Sequence, residues 1–193
     1  MTIEALIFDC DGTLTDSMPV HYESWKAVLD RHGLHFERER FYRLGGTPGF
    51  KIIPMLADEQ NKQADVAAIL QEKEEEFLRL AHLVTPIEPI VEVARSGRGQ
   101  LRMAVASGGL RHIIDLQLTQ IGIVDWFDVI VTAEDTERHK PEPDVFLEAA
   151  RRLDVEPAKC RVYEDSDVGI EAAQRAGMQC VDVRSLHTPD PIN

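Results

Sequence analysis

The sequence predicts an α/β fold, a doubly wound parallel sheet covered by helices on both faces and interrupted by one helical insertion. Three observations carry that prediction. Five short apolar runs recur along the 193 residues, helical periodicity fills the intervals between them, and more than ninety residues separate the first run from the second. A crossover between parallel strands needs only about 10–12 residues, so the long interval holds an inserted module.

The first run, Ala5-Leu6-Ile7-Phe8, is apolar without alternation, the pattern of a strand buried on both faces. Ser17 and Pro19 then open a helix whose stripe is Val20, Trp25, Val28 and Leu29 and whose stop is Gly33. A second long helix is expected from about Asn61 to His82. Its run Glu72-Lys73-Glu74-Glu75-Glu76 reads most simply as a solvated face. Thr85-Pro86-Ile87-Glu88-Pro89 has the composition of a return linker, which places the inserted domain at 17–84 and the core domain at 1–16 and 85–193. The remaining strands are Met103–Ala106, Val129–Val131, Arg161–Tyr163 and Cys180–Val183. Between them Asp144 can cap a helix that turns Val145, Phe146, Ala149, Ala150 and Leu153 inward, and Gly177 can end one that begins near Asp167.

Composition narrows the function classes. With 21 Lys and Arg against 34 Asp and Glu, the net charge is −13, which disfavours nucleic acid and anionic membrane as partners. Any anionic substrate must be held by local positive groups. Cys10, Cys160 and Cys180 are odd in number and lack C-x-x-C spacing, so neither a disulfide framework nor a zinc site is indicated. The first residues lack a basic region leading into an apolar stretch, and no later apolar run approaches the ~20 residues of a membrane span. A soluble, cytoplasmic protein is expected, and because nothing requires an oligomer, a monomer.

In open parallel sheets ligands bind beyond the carboxyl ends of the strands, so the residues following each apolar run carry the functional information. The first run leads into Asp9-Cys10-Asp11-Gly12-Thr13, the second into Ser107-Gly108-Gly109, the third toward Lys140-Pro141, and the fourth into Glu164-Asp165-Ser166-Asp167. Several carboxylates around one point repel each other, and a hard divalent cation with oxygen ligands relieves that repulsion. Mg²⁺ takes one or two carboxylates together with substrate phosphate oxygens. With the ion balancing Asp9 and Asp165, a carboxylate becomes a usable nucleophile toward phosphorus. Asp11 can then protonate the departing alkoxide and afterwards take a proton from water. Lys140 neutralises the transferring group, and Ser107 with the Gly108 amide hydrogen-bonds its oxygens. An EF-hand reading fails at both acidic stretches: its twelfth position is Val20 counted from Asp9 and Ala176 counted from Asp165.

The four motifs, Asp9-Cys10-Asp11-Gly12-Thr13, Ser107, Lys140 in Lys-Pro-Glu-Pro-Asp, and Glu164-Asp165-Ser166, stand in the order found in the haloacid dehalogenase superfamily, which this chain resembles from Asp9 to Asp165. The resemblance implies a Rossmann-like core with an inserted α-helical cap. It also implies Asp9 as nucleophile, Asp11 as acid and base, and Mg²⁺ held by Asp9, the Asp11 carbonyl and Asp165, with Glu164 beside it. Within the superfamily the chain is similar to the β-phosphoglucomutase-like branch with a small helical cap, and in look to its fructose-1-phosphate phosphatases. His21-Tyr22-Glu23-Ser24-Trp25-Lys26 and Leu44-Gly45-Gly46-Thr47 carry the narrower match. A small phosphorylated sugar is the implied substrate, chosen by a cap that closes over the site, with His21, Gly45, Gly46, Thr47 and Lys73 as candidate contacts. Trp25 reads as core and Cys10 as a small apolar filler.

Three functions follow from these residues. The first is a Mg²⁺-dependent sugar phosphatase. The second is a β-phosphoglucomutase, which returns the phosphoryl group to another hydroxyl. Such mutases carry a lysine and an arginine around the cap loop to hold a second phosphate. Here Gly45 stands at the lysine position and Gly49-Phe50 about where the arginine belongs, with Lys51 the nearest cation, so water is the expected acceptor. The third is a receiver-like phosphoacceptor, which would lack the inserted cap.

Overall fold

The computed structural model describes residues 2–186. The chain divides into two compact units, one formed by Met1–Asp16 with Thr85–Asn193 and the other by Ser17–Val84.

The first unit is built on a five-stranded parallel sheet. In chain order its strands are β1 (Ala5–Phe8), β4 (Arg102–Ala106), β5 (Val129–Val131), β6 (Cys160–Glu164) and β7 (Gln179–Asp182). Their order across the sheet is β5-β4-β1-β6-β7. Between the first and second of these in sequence, a two-residue β2 (Thr15–Asp16) pairs antiparallel with β3 (Thr85–Pro86) where the chain leaves this unit and returns. The expected linker is therefore partly strand, and Glu88-Pro89 already opens helix α5 (Glu88–Gly97), the first-turn position where a missing N–H costs nothing.

All four residues of β1 are buried, as its unalternated sequence demands. Ala5 and Ile7 face a cluster containing Val145, Phe146 and Ala149 of α7 (Asp144–Leu153) and Ala172 and Ala173 of α8 (Asp167–Arg175). Leu6 and Phe8 face a second cluster, with Ile90, Val91 and Ala94 of α5 and Ile114 and Leu118 of α6 (Arg111–Gln120). Each fully buried Ile or Phe contributes roughly 1.5–3 kcal/mol relative to exposure, so slipping β1 by one residue exchanges the two faces and is strongly opposed. That register sets Phe8 opposite Val105 of β4 and Tyr163 of β6, which brings the carboxyl ends of three strands side by side.

The second unit is helical: α1 (Met18–Arg31), α2 (Arg38–Arg43), α3 (Gly49–Glu59) and α4 (Val66–Leu80). Its core contains Trp25, Val28, Leu29, Phe41, Ile53, Leu56 and Ile69, so Trp25 is a packing residue. The two short helices α2 and α3 lacked the long periodic stripe that makes α1 legible. Helix α4 begins at Val66, capped by Asp65, later than the Asn61 start that periodicity suggested. Asp144 is also corrected: it is the first residue of α7, bonded to Arg138, and makes no side-chain cap. Among the described residues no helix is long and apolar enough to cross a membrane.

Candidate functional site

The strand order explains the site. Asp9 leaves the end of β1, Ser107 the end of β4 and Asp165 the end of β6, and β1 lies between the other two. The Asp9 amide continues the ladder by donating to the Tyr163 carbonyl at 3.0 Å, which holds this aspartate at a fixed height above the sheet. Lys140 arrives from the segment before α7. Its Nζ donates to Asp9 Oδ1 at 2.6 Å and to Glu164 Oε2 at 2.8 Å, and lies 4.8 Å from the centre of the Phe146 ring.

Glu164 is buried at 1% exposure, and its second oxygen is fully engaged. Oε1 accepts from the Asp165 and Ser166 amides and from the Ser166 hydroxyl, at 3.1, 2.9 and 2.8 Å. The close packing requires glycine in the first turn of α8, since a Cβ on Gly169 would lie 2.1 Å from Glu164 Oε2. Asp165 Oδ1 accepts from the Thr13 hydroxyl at 3.1 Å. Gly12 has φ +79°, and a Cβ there would meet Asp165 Oδ2 at 2.3 Å, so the turn after Asp11 needs glycine both for its backbone and for the room it leaves.

Asp9, Glu164 and Asp165 each place one carboxylate oxygen within 4.8 Å of the others. One ammonium cannot balance three carboxylates, two buried and the third, Asp165, half-buried, and the deficit favours the protonated forms of Asp9 and Asp165. Burial pushes the Asp9 carboxyl well above its ordinary range; Lys140 pulls it down, while Glu164, Asp165 and Asp11 push it up. Asp165 is raised to about 7, by burial first and Glu164 next. Burial alone would lower Lys140, but Asp9 and Glu164 outweigh it and hold the ammonium charged. A donor set made of carboxylate oxygens, short of positive charge, suits a hard divalent cation.

This deficit has a stability consequence. A carboxyl whose folded pKa is about 7 against an ordinary 3.8 favours the protonated folded state. The metal-free protein is thus penalised as pH rises from about 4 to 7, and fully so above that window. Asp165→Asn should raise the melting temperature in chelator at pH 8 by on the order of 5 °C, with the gain gone below pH 4. Identical melting curves at pH 8 would contradict the charge deficit.

Asp11 turns its side chain elsewhere. Its Oδ1 accepts from Gln117 Nε2 of α6 at 2.9 Å, and its carboxylate is outside the three-acid cluster. Gln117 is the residue that reading the sequence missed. The signal was a glutamine inside the stripe Ile113, Ile114, Leu118, where a polar side chain is buried at 0% exposure. Ser107 is buried too, and its Oγ accepts from the Gly109 amide at 3.0 Å, which directs the hydroxyl hydrogen away from the backbone. A Cβ on Gly108 would meet nothing within 4 Å, so open space lies on that side of its Cα. Cys10 is buried in the apolar cluster of Leu6 and Phe8, the filler expected of it.

Within the helical unit, His21 and Lys73 meet: Lys73 Nζ is 2.9 Å from His21 Nδ1, and the His21 ring stacks on Phe77 with centroids 4.1 Å apart. The Lys73 ammonium also lies 5.8 Å from the Trp25 ring centre. The flanking Glu72 is not merely solvated, because it pairs with Arg31, the last residue of α1, and with His32 just beyond it. Gly45, Gly46 and Thr47 form the turn after α2, closed by the Thr47 amide donating to the Leu44 carbonyl at 2.9 Å, with Gly46 at φ +78°.

Residues 6–183 match the family profile of the haloacid dehalogenase-like hydrolases. The chain is 39% identical over 182 residues to fructose-1-phosphate phosphatase YqaB of Escherichia coli K12, covering 94% of this chain and 96% of that protein. It is 30% identical over 190 residues to the β-phosphoglucomutase of Bacillus subtilis 168, covering 94% and 83%. Among solved structures, a β-phosphoglucomutase from Clostridium difficile superposes with a TM-score of 0.85 at 26% identity, covering 94% of this chain and 84% of that one.

Proposed function

The chain belongs to the haloacid dehalogenase-like hydrolase family, and from that premise we propose that it is a Mg²⁺-dependent phosphatase of small sugar phosphates that works through an aspartyl-phosphate on Asp9. The observation that carries this reading is the buried trio Asp9, Lys140 and Glu164 with Asp165 beside it, a nucleophile held between an ammonium and an acidic pair. The similarity to a phosphatase named for fructose 1-phosphate supports a sugar ester as substrate. The family match also sets aside the receiver-like alternative, since it places the chain among hydrolases.

The donor set fits Mg²⁺, held by Asp9, Asp165 and the Asp11 carbonyl, with Glu164 engaged by Lys140 and Ser166 and so in a supporting place. When bound, the ion supplies charge neutralisation for the phosphoryl oxygens and for the acids around them. In the first half-reaction an Asp9 oxygen forms the bond to phosphorus as the phosphorus–oxygen bond to the sugar breaks. Asp11 gives its proton to the departing sugar oxygen. In the second, Asp11, now a carboxylate, takes a proton from water as that water attacks phosphorus, and Asp9 leaves as a free carboxylate with inorganic phosphate. Lys140, Ser107 and the Gly108 amide stabilise the charge on the transferring group throughout.

The Ser17–Val84 unit is read as the substrate-selecting cap, and His21, Lys73 and the Gly45-Gly46-Thr47 turn as its sugar contacts. The β-phosphoglucomutase reading is favoured by the names of two relatives and opposed by glycine at positions 45 and 49, where a clamp for a second phosphate would stand. A screen of hexose 1- and 6-phosphates with Mg²⁺, following free phosphate and isomerised sugar together, separates the two. Steady release of phosphate, fructose 1-phosphate included, is the expected result. Formation of glucose 6-phosphate from β-glucose 1-phosphate without phosphate release would replace the phosphatase with the mutase.

A further inference from the structure

We propose that Gln117 is a positioning residue for Asp11, fixing which carboxyl oxygen carries the proton delivered to the leaving group. The inference rests on the acid/base reading of Asp11 given above and adds to it a residue from a different helix, 106 positions away in the chain.

Gln117 lies on the inner face of α6 with no exposed surface, beside Ile113, Ile114 and Leu118. A buried amide costs free energy unless both of its ends are bonded, and leucine would serve that stripe at no such cost. Both ends are bonded here. Nε2 donates to Asp11 Oδ1 at 2.9 Å, and Oε1 accepts from the Thr15 hydroxyl at 2.6 Å.

The orientation of the amide follows from its neighbours rather than from the side chain itself. The other groups within reach of the Thr15 hydroxyl are the Cys10 carbonyl, which already accepts from the Thr13, Leu14 and Thr15 amides, and the Cys10 thiol, a weak acceptor at 3.8 Å. The hydroxyl hydrogen is therefore directed to Gln117 Oε1, which leaves the NH₂ group facing Asp11. An ionised carboxylate only accepts, so the pairing is complementary. With Oδ1 tied to an N–H, the proton that Asp11 carries sits on Oδ2, and rotation of the carboxyl group is arrested. The chain of contacts runs Thr15 hydroxyl, Gln117 amide, Asp11 Oδ1, with Thr15 on β2, Gln117 on α6 and Asp11 in a single bridge to Thr15. General acids depend on such placement, since small misorientations of a catalytic group are costly in rate.

A purely structural Gln117, present only to satisfy Thr15, would affect all substrates alike. The test is the single-turnover rate of leaving-group release, which reads the first half-reaction alone, together with substrate affinity, for Gln117→Leu and Gln117→Met on fructose 1-phosphate and on p-nitrophenyl phosphate with saturating Mg²⁺, beside Asp11→Asn. Melting curves establish that each variant is folded, and the unbranched Met variant is the one more easily fitted if Leu disturbs α6. The expected result is a loss of about tenfold in the release rate for the sugar ester, a change of no more than about twofold for the nitrophenyl ester and for either affinity, and the same selectivity, larger, in the release step of Asp11→Asn. Equal losses for both esters, or no loss, in folded Gln117 variants would overturn the positioning role while Asp11→Asn stays selective. Should Asp11→Asn itself slow both releases equally, the acid assignment beneath it fails instead.

Discussion

Asp9→Asn should abolish release of phosphate from sugar phosphates, by at least about four orders of magnitude, while leaving the protein folded. The amide has the shape of the carboxylate but cannot form the acyl phosphate, so no partial route through this residue remains. Folding survives because Lys140 keeps its second partner: Glu164 Oε2 stays 2.8 Å from Nζ. Burial and three neighbouring acids already disfavour the ionised form of Asp9, so its neutral replacement relieves repulsion with Asp165 and Glu164. The check is phosphate release in a Mg²⁺-replete assay together with a melting curve in chelator. Turnover within a hundredfold of the parent would refute the nucleophile assignment. A melting temperature equal to or above the parent's is expected at pH 8.

Lys140→Met should damage both function and fold. Removing the ammonium leaves Asp9 and Glu164, whose side chains are 8% and 1% exposed, facing each other with no cation between them. Breaking a buried ion pair from one side costs about 3–5 kcal/mol, which in a chain of this size lowers the melting temperature by on the order of 10 °C. The sign with pH is determined by Asp9. Its carboxyl prefers the protonated form in the folded state, and more so without Lys140, so the destabilisation is largest at pH 8 and shrinks on acidification. Activity should fall about 10²–10³-fold, because the phosphoryl oxygens lose a positioned charge carried on a buried side chain. Melting in chelator at pH 5 and pH 8 with parallel kinetics tests both halves. A variant as stable as the parent at pH 8 would mean that the Lys140 charge is balanced from elsewhere.

The contrast between the two substitutions is instructive. Asp9 and Lys140 touch at 2.6 Å, yet removing the acid leaves one balanced pair and removing the base leaves two opposed acids. Both residues could be picked out in the linear chain because each follows an apolar run with an unusual polar neighbourhood. Asp165 and Ser107 were legible for the same reason. Local periodicity reports burial, and a strand in a doubly covered sheet must be apolar until it ends.

Other features left no such trace. β2 and β3 are two residues each, too short for any period to register, and they exist because the chain exits and re-enters the unit at adjacent points. α2 and α3 are short helices with no assignment of their own in the linear chain, and their apolar residues find partners in the core shared with α1 and α4. Asp144 has the chemistry of a cap, but Arg138 claims its carboxylate at 2.9 Å. His21 and Lys73 looked like separate candidates, and their 2.9 Å contact depends on the pairing of α1 with α4.

From its own residues the chain determined the five strands of the parallel sheet to within a residue or so at their ends, the presence of an insertion and the kind of chemistry, because each of these follows from hydrophobic period and side-chain type over a few neighbouring positions. Tertiary structure alone decided that β1 lies between β4 and β6, that Lys140 bridges two acids, and that Gln117 reaches Asp11. Those outcomes join residues many tens of positions apart, and a hydrogen bond is made or lost over a few tenths of an ångström. Burial is a property of a segment, whereas a bonding partner is a property of the whole packing.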